Sequence, residues 1–198
     1  EGAFRLVTIW DKPDPMEGPA FAETLYLAPT GLPGELQRTL VDLSGEACAA
    51  LGLTDGPVHV ELRIDPEGKP WLVEVNPRTI GGRCSSALAF QGGATLEDLV
   101  IASVLGLSRP HDRLASACGV LMLPIPAAGV LKAVEGREEA VAVEGVVALE
   151  IAVPIGQPVL PPPEGDRYLG FLTARAETRS DAEDALRYAG SLLSVEVA

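Results

Sequence analysis

Glu61, Glu74 and Asn76 are the residues of this chain whose types and spacing best suit chemistry. They lie in two apolar-alternating runs that flank a turn-rich stretch from Asp65 to Pro70, the pattern of a β-hairpin. Residues two apart in a strand share a face. His59, Glu61 and Arg63 therefore point one way, and Val58, Val60, Leu62 and Ile64 the other. Across the turn, Glu74 and Asn76 share a face opposite Val73 and Val75. A hairpin folded about Glu67-Gly68 sets residues whose numbers sum to 135 face to face, so Glu61 opposes Glu74 and His59 opposes Asn76. Directly opposed side chains have Cβ atoms roughly 4.5–5.5 Å apart, and like charges there are destabilising. A divalent cation between the two carboxylates turns that repulsion into binding. Two carboxylates and an amide oxygen form a hard-oxygen set that suits magnesium or manganese better than zinc. Magnesium usually shares its shell with water and substrate phosphates, which points to a nucleotide. The alternative is a solvent-facing hairpin whose carboxylates stay apart, with Pro66 and Pro70 lengthening the turn and slipping the register.

The residues that follow extend the same chemistry. Arg78 carries a fixed charge and a bidentate fork, suited to a phosphate or a carboxylate; the other reading is a salt bridge to a local acid. Gly81 and Gly82 let the backbone approach an anion closely, or simply make a tight turn. Arg83 is a second cation beside them. His59, opposite Asn76, either touches phosphate or substrate or is merely hydrogen-bonded in place. Arg63 lies nearer the turn, with solvent as its expected partner.

These positions need a scaffold. Residues 3–10 and Phe21 to Ala28 alternate as strands, joined by a proline-rich loop from Trp10 to Pro19. In that loop Lys12 could meet a phosphate or a carboxylate and Trp10 could wall a pocket; the favoured reading is an exposed loop with a solvated lysine. After Pro33-Gly34, the apolar spacing of Leu36, Leu40, Leu43, Ala47 and Leu51 predicts a helix that Gly52 ends. A second helix is expected over Ser85 to Phe90, broken by Gln91-Gly92-Gly93. Thr95 caps a third, with acids in its first turn and Gly106 as its stop. Pro110 to Arg113 reads as a boundary. Strands follow at Cys118 to Ile125, Gly129 to Val134, Val146 to Val153 and Tyr168 to Ala174. Pro154 to Asp166 is a loop, Ser180-Asp181-Ala182-Glu183 a capping box before a helix, and Ser194 to Val197 a last strand.

The net charge of −13, with no block of basic residues, argues against a nucleic-acid backbone or an anionic membrane as partner. No apolar run approaches the roughly 20 residues of a membrane span. Cys48, Cys84 and Cys118 are far apart in sequence with no Cys-x-x-Cys, as expected of buried thiols in a reducing cytoplasm. The N-terminus has no basic n-region and no initiating Met, so no signal peptide is expected and the chain is read as beginning mid-protein.

Glu61, Glu74 and Asn76 with this spacing resemble the magnesium-binding signature of the ATP-grasp superfamily. The wider string, His-Val-Glu-Leu-Arg with Glu-Val-Asn-Pro-Arg and Gly-Gly, resembles the carboxylate–amine ligase branch that includes L-amino-acid ligases. The stretches Ala127-Ala128-Gly129-Val130-Leu131, Val134-Glu135-Gly136 and Tyr168-Leu169-Gly170-Phe171 are similar to the accessory domain that follows the ATP-grasp module in such proteins. The resemblance implies an α+β fold: the C-terminal ATP-grasp subdomain, mainly antiparallel sheet with helices, over 1–109, then a small α+β accessory domain over 114–198.

It also implies the cofactors ATP and Mg2+ (or Mn2+), with Glu61, Glu74 and Asn76 as metal ligands, Glu74 bridging two ions. Arg78, Gly81, Gly82 and His59 would face the nucleotide, and Arg78 would be the catalytic cation. The implied reaction phosphorylates a small carboxylate and lets an amine attack the acyl phosphate, so amino acids are among the expected substrates. The phosphate-contacting lysines, glycine-rich loop and adenine hinge of such enzymes are not found in this chain. It is therefore expected to be a C-terminal part, inactive alone, whose partner is the earlier part of the same protein; exposed apolar surface and a homo-oligomer are compatible with that. Two other readings stay open: a biotin-carboxylase-like or carbamoyl-phosphate-synthase-like enzyme using bicarbonate, and a non-catalytic interaction domain.

Overall fold

The computed structural model describes residues 3–15, 22–107, 112–114 and 116–198. In chain order the elements are β1 (Leu25–Ala28), α1 (Gly34–Ala50), β2 (His59–Ile64), β3 (Pro70–Asn76), α2 (Cys84–Ala87), a 3-10 turn (Gln91–Gly93), α3 (Leu96–Val104), β4 (Ala117–Leu123), β5 (Gly129–Glu135), α4 (Arg137–Val141), β6 (Val146–Ile151), β7 (Pro158–Val159), β8 (Gly170–Ala176), α5 (Arg179–Ser191) and β9 (Ser194–Val197). They fall into two compact units that interleave in sequence. One is made of described residues within Glu1–Ile9, Gly31–Gly81 and Leu88–Leu114; the other of those within Trp10–Thr30, Gly82–Ala87 and Ala115–Ala198.

The first unit is built on α1 and the β2–β3 hairpin. Pro33 opens α1 in an extended conformation, where its missing N–H leaves nothing unsatisfied. The helix ends where Gly52 takes φ +70: Gly52 N donates to Ala49 O at 3.0 Å and Leu53 N to Cys48 O at 2.9 Å. Those two bonds are a Schellman motif. The buried line of α1 is Leu40, Ser44 and Cys48, and Ser44 Oγ satisfies itself on Leu40 O at 2.7 Å. Leu51, expected on the apolar stripe, is instead the exposed C-cap residue. α3 begins as expected, with a reciprocal capping box between Thr95 and Asp98.

The second unit holds a four-stranded antiparallel sheet in the order β1-β4-β8-β6 and a three-stranded sheet β7-β5-β9. α5 packs on the larger sheet through Ala182, Ala185, Leu186 and Ala189, a face at helical spacing. Gly119 on β4 makes the close approach possible. A Cβ there would lie 2.7 Å from Leu186 Cδ1 and Leu27 Cδ2 and 2.9 Å from Tyr26 O. Leu25, Leu27, Leu131, Leu169, Leu172 and Leu186 anchor the core.

The expected α+β architecture is present, with local differences. Residues 3–10 form no strand among the described residues: Phe4, Leu6 and Val7 are about half exposed, and an alternating run becomes a strand only where a sheet edge accepts its backbone. The second expected strand shortens to Leu25–Ala28, joined by an isolated bridge between Asp11 and Leu27; Phe21 lies outside the described residues, as do Pro110 and His111 of the expected boundary. The helix expected over Ser85 to Phe90 is only Cys84–Ala87, because Phe90 turns extended and bridges Arg113. The α5 cap is not Ser180: Thr178 is extended and its side chain accepts from Asp181 N at 3.2 Å, which puts Ser180 inside the first turn. α4 and β7 were not anticipated.

Candidate functional site

The hairpin brings the predicted residues into register. Glu61 pairs with Glu74 and His59 with Asn76, as a sum of 135 requires. Nearer the turn the register is different: Leu62 faces Leu72, Arg63 faces Trp71 and Ile64 faces Pro70. A bulge between Glu61 and Leu62 absorbs the extra residue, Val73. Without it, Glu61 would oppose Val73, and Glu74 would project from the wrong face. Bulges re-aim side chains in this way.

The turn is locked by Asp65. Its carboxylate accepts Lys69 N and Trp71 Nε1, each at 2.8 Å, and Gly68 closes the turn onto Asp65 O at φ +83. The Trp71 and Lys69 hydrogen bonds hold the Asp65 carboxyl below its usual range. Lys69 Nζ lies 4.3 Å from the Trp71 ring centre.

On the paired face Glu74 is exposed, while Glu61, His59 and Asn76 are half-buried. The Asn76 Nδ2 atom is buried without a hydrogen-bond partner. That N–H donor, left unused by the protein, would be served by an acceptor such as a phosphate oxygen, whereas a metal would be met by the Oδ1 of the same amide. Among the described residues no group of three His, Cys, Asp or Glu side chains is placed to hold a metal. Two opposed carboxylates beside an amide therefore suit a hard cation that completes its shell with water or phosphate oxygens, which is how magnesium is usually held. On these grounds the residues present fit the expected magnesium or manganese.

Arg78 follows at once. Its backbone N donates to Asn76 O at 2.8 Å and its Nη1 to Thr79 O at 2.9 Å. Among the described residues it makes no ion pair, and it is exposed. The alternative of a salt bridge to a local acid is not what the chain adopts. Gly81 is the last residue of the first unit in this stretch and Gly82 the first of the second. A side chain on Gly81 would meet nothing, whereas Gly82 sits at φ +61 with Met122 against the place of a Cβ. Of the two, only Gly82 has a backbone conformation that favours glycine. Arg83 pairs with Glu150 at 2.5 Å instead of standing free beside the glycines.

Within the second unit, Lys12 is not the solvated lysine expected. It is largely buried, ion-paired with Glu23, and lies 5.3 Å from the Tyr26 ring centre; Trp10 meets the same ring edge-on at 6.3 Å. Burial, then Glu23, raises the Tyr168 phenol. Burial pushes the Cys84 thiol far above its ordinary range, and all three cysteines are buried free thiols. The Glu23 and Tyr26 contacts gave no signal in the sequence, since a single acid just before a short apolar strand and a tyrosine within it have no diagnostic spacing.

Residues 1–87 match the ATP-grasp domain family and residues 121–198 the L-amino acid ligase C-terminal domain 2 family. A solved L-amino acid ligase from Bacillus licheniformis superposes with a TM-score of 0.84 at 26% identity, covering 97% of this chain and 48% of that one. A D-alanine–D-alanine ligase from Gloeobacter violaceus is 41% identical over 64 residues, 32% of this chain and 20% of the relative. Human carnosine synthase 1 is 41% identical over 68 residues, 34% of this chain and 8% of the relative. The chain thus spans about half the length of the solved ligase and less of the other two. Residues 1–87 thus belong to the ATP-grasp domain family and residues 121–198 to the L-amino acid ligase C-terminal domain 2 family, in a chain whose fold is similar to that of the solved L-amino acid ligase.

Proposed function

We propose that the protein takes part in an ATP- and divalent-metal-dependent ligation of a small carboxylate to an amine. The observation that carries this reading is the bulged hairpin that sets Glu61 against Glu74 and His59 against Asn76. Glu61, Glu74 and Asn76 would hold magnesium or manganese. The metal, when bound, neutralises charge on the transferring phosphoryl group. Arg78 adds a fixed cation for the same oxygens or for the substrate carboxylate, as the catalytic arginine. His59, Gly81 and Gly82 would face the nucleotide phosphates. A carboxylate oxygen attacks the γ-phosphorus and ADP leaves. An amine nitrogen then attacks the acyl carbon, phosphate leaves with the bonding pair, and the amine's proton is lost. No nucleophilic side chain is needed, so the residues' work is positioning and electrostatics.

The L-amino acid ligase relatives support amino acids as substrates over bicarbonate, and a product assay with both would separate them. We take the module and its accessory domain as 1–109 and 114–198, and the buried free thiols as support for a cytoplasmic protein. No described helix is long and apolar enough to cross a membrane. The test is calorimetric titration with manganese and ADP, beside a Glu74→Gln variant. Binding that disappears in the variant is expected; equal binding by both would sink Glu74 as a ligand.

A further inference from the structure

Arg83 is the one non-glycine described residue in the left-handed region, at φ 61, directly after Gly82 at the same angle. Such a backbone persists only where its surroundings hold it. Two contacts from the C-terminal strands are candidates. The first is the Arg83–Glu150 ion pair, but both side chains are about half exposed, and pairs of that kind are screened and weak. The second is Arg175 on β8. Its Nε donates to Ala87 O and its Nη2 to Ser86 O, each at 2.9 Å. Ser86 in turn reaches back to Arg83 O through its backbone N at 3.1 Å and its Oγ at 2.7 Å. The planar guanidinium thus fixes two consecutive carbonyls at once, and Ser86 passes that constraint to the strained residue. A lysine could not do this, since its ammonium has no fork.

We propose that Arg175 is a positioning residue: from the C-terminal region it holds the Gly82–Arg83 backbone in the shape that receives the nucleotide phosphates. This rests on reading the Gly81-Gly82 turn as facing the nucleotide phosphates. It makes the region after residue 114 a determinant of phosphate affinity, with no atom of Arg175 touching the ligand.

The test compares the full chain with Arg175→Ala, Arg175→Lys, Glu74→Gln and, as a surface control, Arg167→Ala. Amide hydrogen exchange at Arg83 to Ala87 is read first, then affinity for Mn2+ alone and for Mn2+ with ADP, well below the melting temperature. Arg175→Ala is expected to speed exchange across this segment and to weaken Mn-ADP about tenfold, about the worth of one backbone amide–phosphate hydrogen bond lost as the turn loosens. Affinity for Mn2+ alone should be unchanged, because Glu61 and Glu74 are untouched. Arg175→Lys should fall between, and serves if the alanine variant does not fold. Unchanged exchange, or a Mn-ADP affinity that does not move, overturns the proposal; so does an equal fall for Mn2+ alone, which would mean general loosening. Equal Mn-ADP binding by Glu74→Gln would sink the metal reading and leave the Arg175 comparison to its own result. A chain that binds no Mn-ADP overturns both.

Discussion

Replacing Glu74 by Gln should make the metal-free protein more stable and the metal-loaded protein less so. Glu61 and Glu74 are directly opposed, so their carboxylates lie roughly 5 Å apart at the Cβ atoms. Glu74 is exposed and Glu61 half-buried, so the dielectric between them is closer to that of water than to a protein interior. At that distance two unit charges in water repel by about 0.8 kcal/mol. Gln is nearly the same size and removes one charge, so the variant should gain about that much, or about 2–3 °C in melting temperature for a chain of this length. The gain should shrink in high salt, which screens exposed pairs. Adding manganese should reverse the order, raising the parent's melting temperature and leaving the variant's unmoved. The assay is a pair of thermal melts, in chelator and in millimolar manganese. A variant that is less stable in chelator, or that gains as much as the parent from manganese, would refute the opposed-carboxylate geometry.

Arg78→Ala should weaken Mn-ADP binding by about tenfold or more, the loss of a charged hydrogen bond, without moving the melting temperature, because Arg78 is exposed and makes no ion pair among the described residues; calorimetry beside a melt checks both halves. Gly119→Ala should destabilise the fold by about 1–3 kcal/mol through overpacking, since its methyl would stand 2.9 Å from the immobile Tyr26 O; urea unfolding measures it. The Asp14 carboxyl is held below its ordinary 3.8, chiefly by the Arg187 hydrogen bond and also by Thr24. Its folded value is thus the lower one, so its contribution is present above pH 3.8 and is lost as pH falls through the depressed folded value. Asp14→Asn should flatten the acid limb of stability in that window, modestly because Arg187 is partly solvated; an unchanged acid limb would contradict the pairing.

Much of the hairpin that carries the candidate site was legible because its signal is local. Alternation places His59, Glu61, Glu74 and Asn76 on strand faces, and charge with hard-oxygen chemistry suggests the metal. The capping box at Thr95 is equally local: three residues and their hydrogen bonds settle it. The apparent helix over Ser85 to Phe90 is the opposite case, since apolar composition there does not reveal that Phe90 is claimed by a bridge to Arg113. Nor does sequence show that Lys12 is drawn onto Glu23 and Tyr26, a pairing that depends on how the loop lies against its strand.

The hairpin itself divides the two kinds of information. That two carboxylates and an amide stand on strands joined by a tight turn follows from local pattern, because period-two alternation and turn residues act over a few positions. That pattern does not determine the register. Asp65, Gly68 and Lys69 close the turn on a register that would separate the glutamates, and only the extra residue at Val73 restores their opposition. A bulge has no fixed residue signature; it is chosen by packing on both sides of the strand. The same holds for Arg175, which lies 88 residues along the chain from the Ala87 carbonyl it holds. Backbone propensities cannot encode a partner that distant, and the tertiary structure alone brings it there.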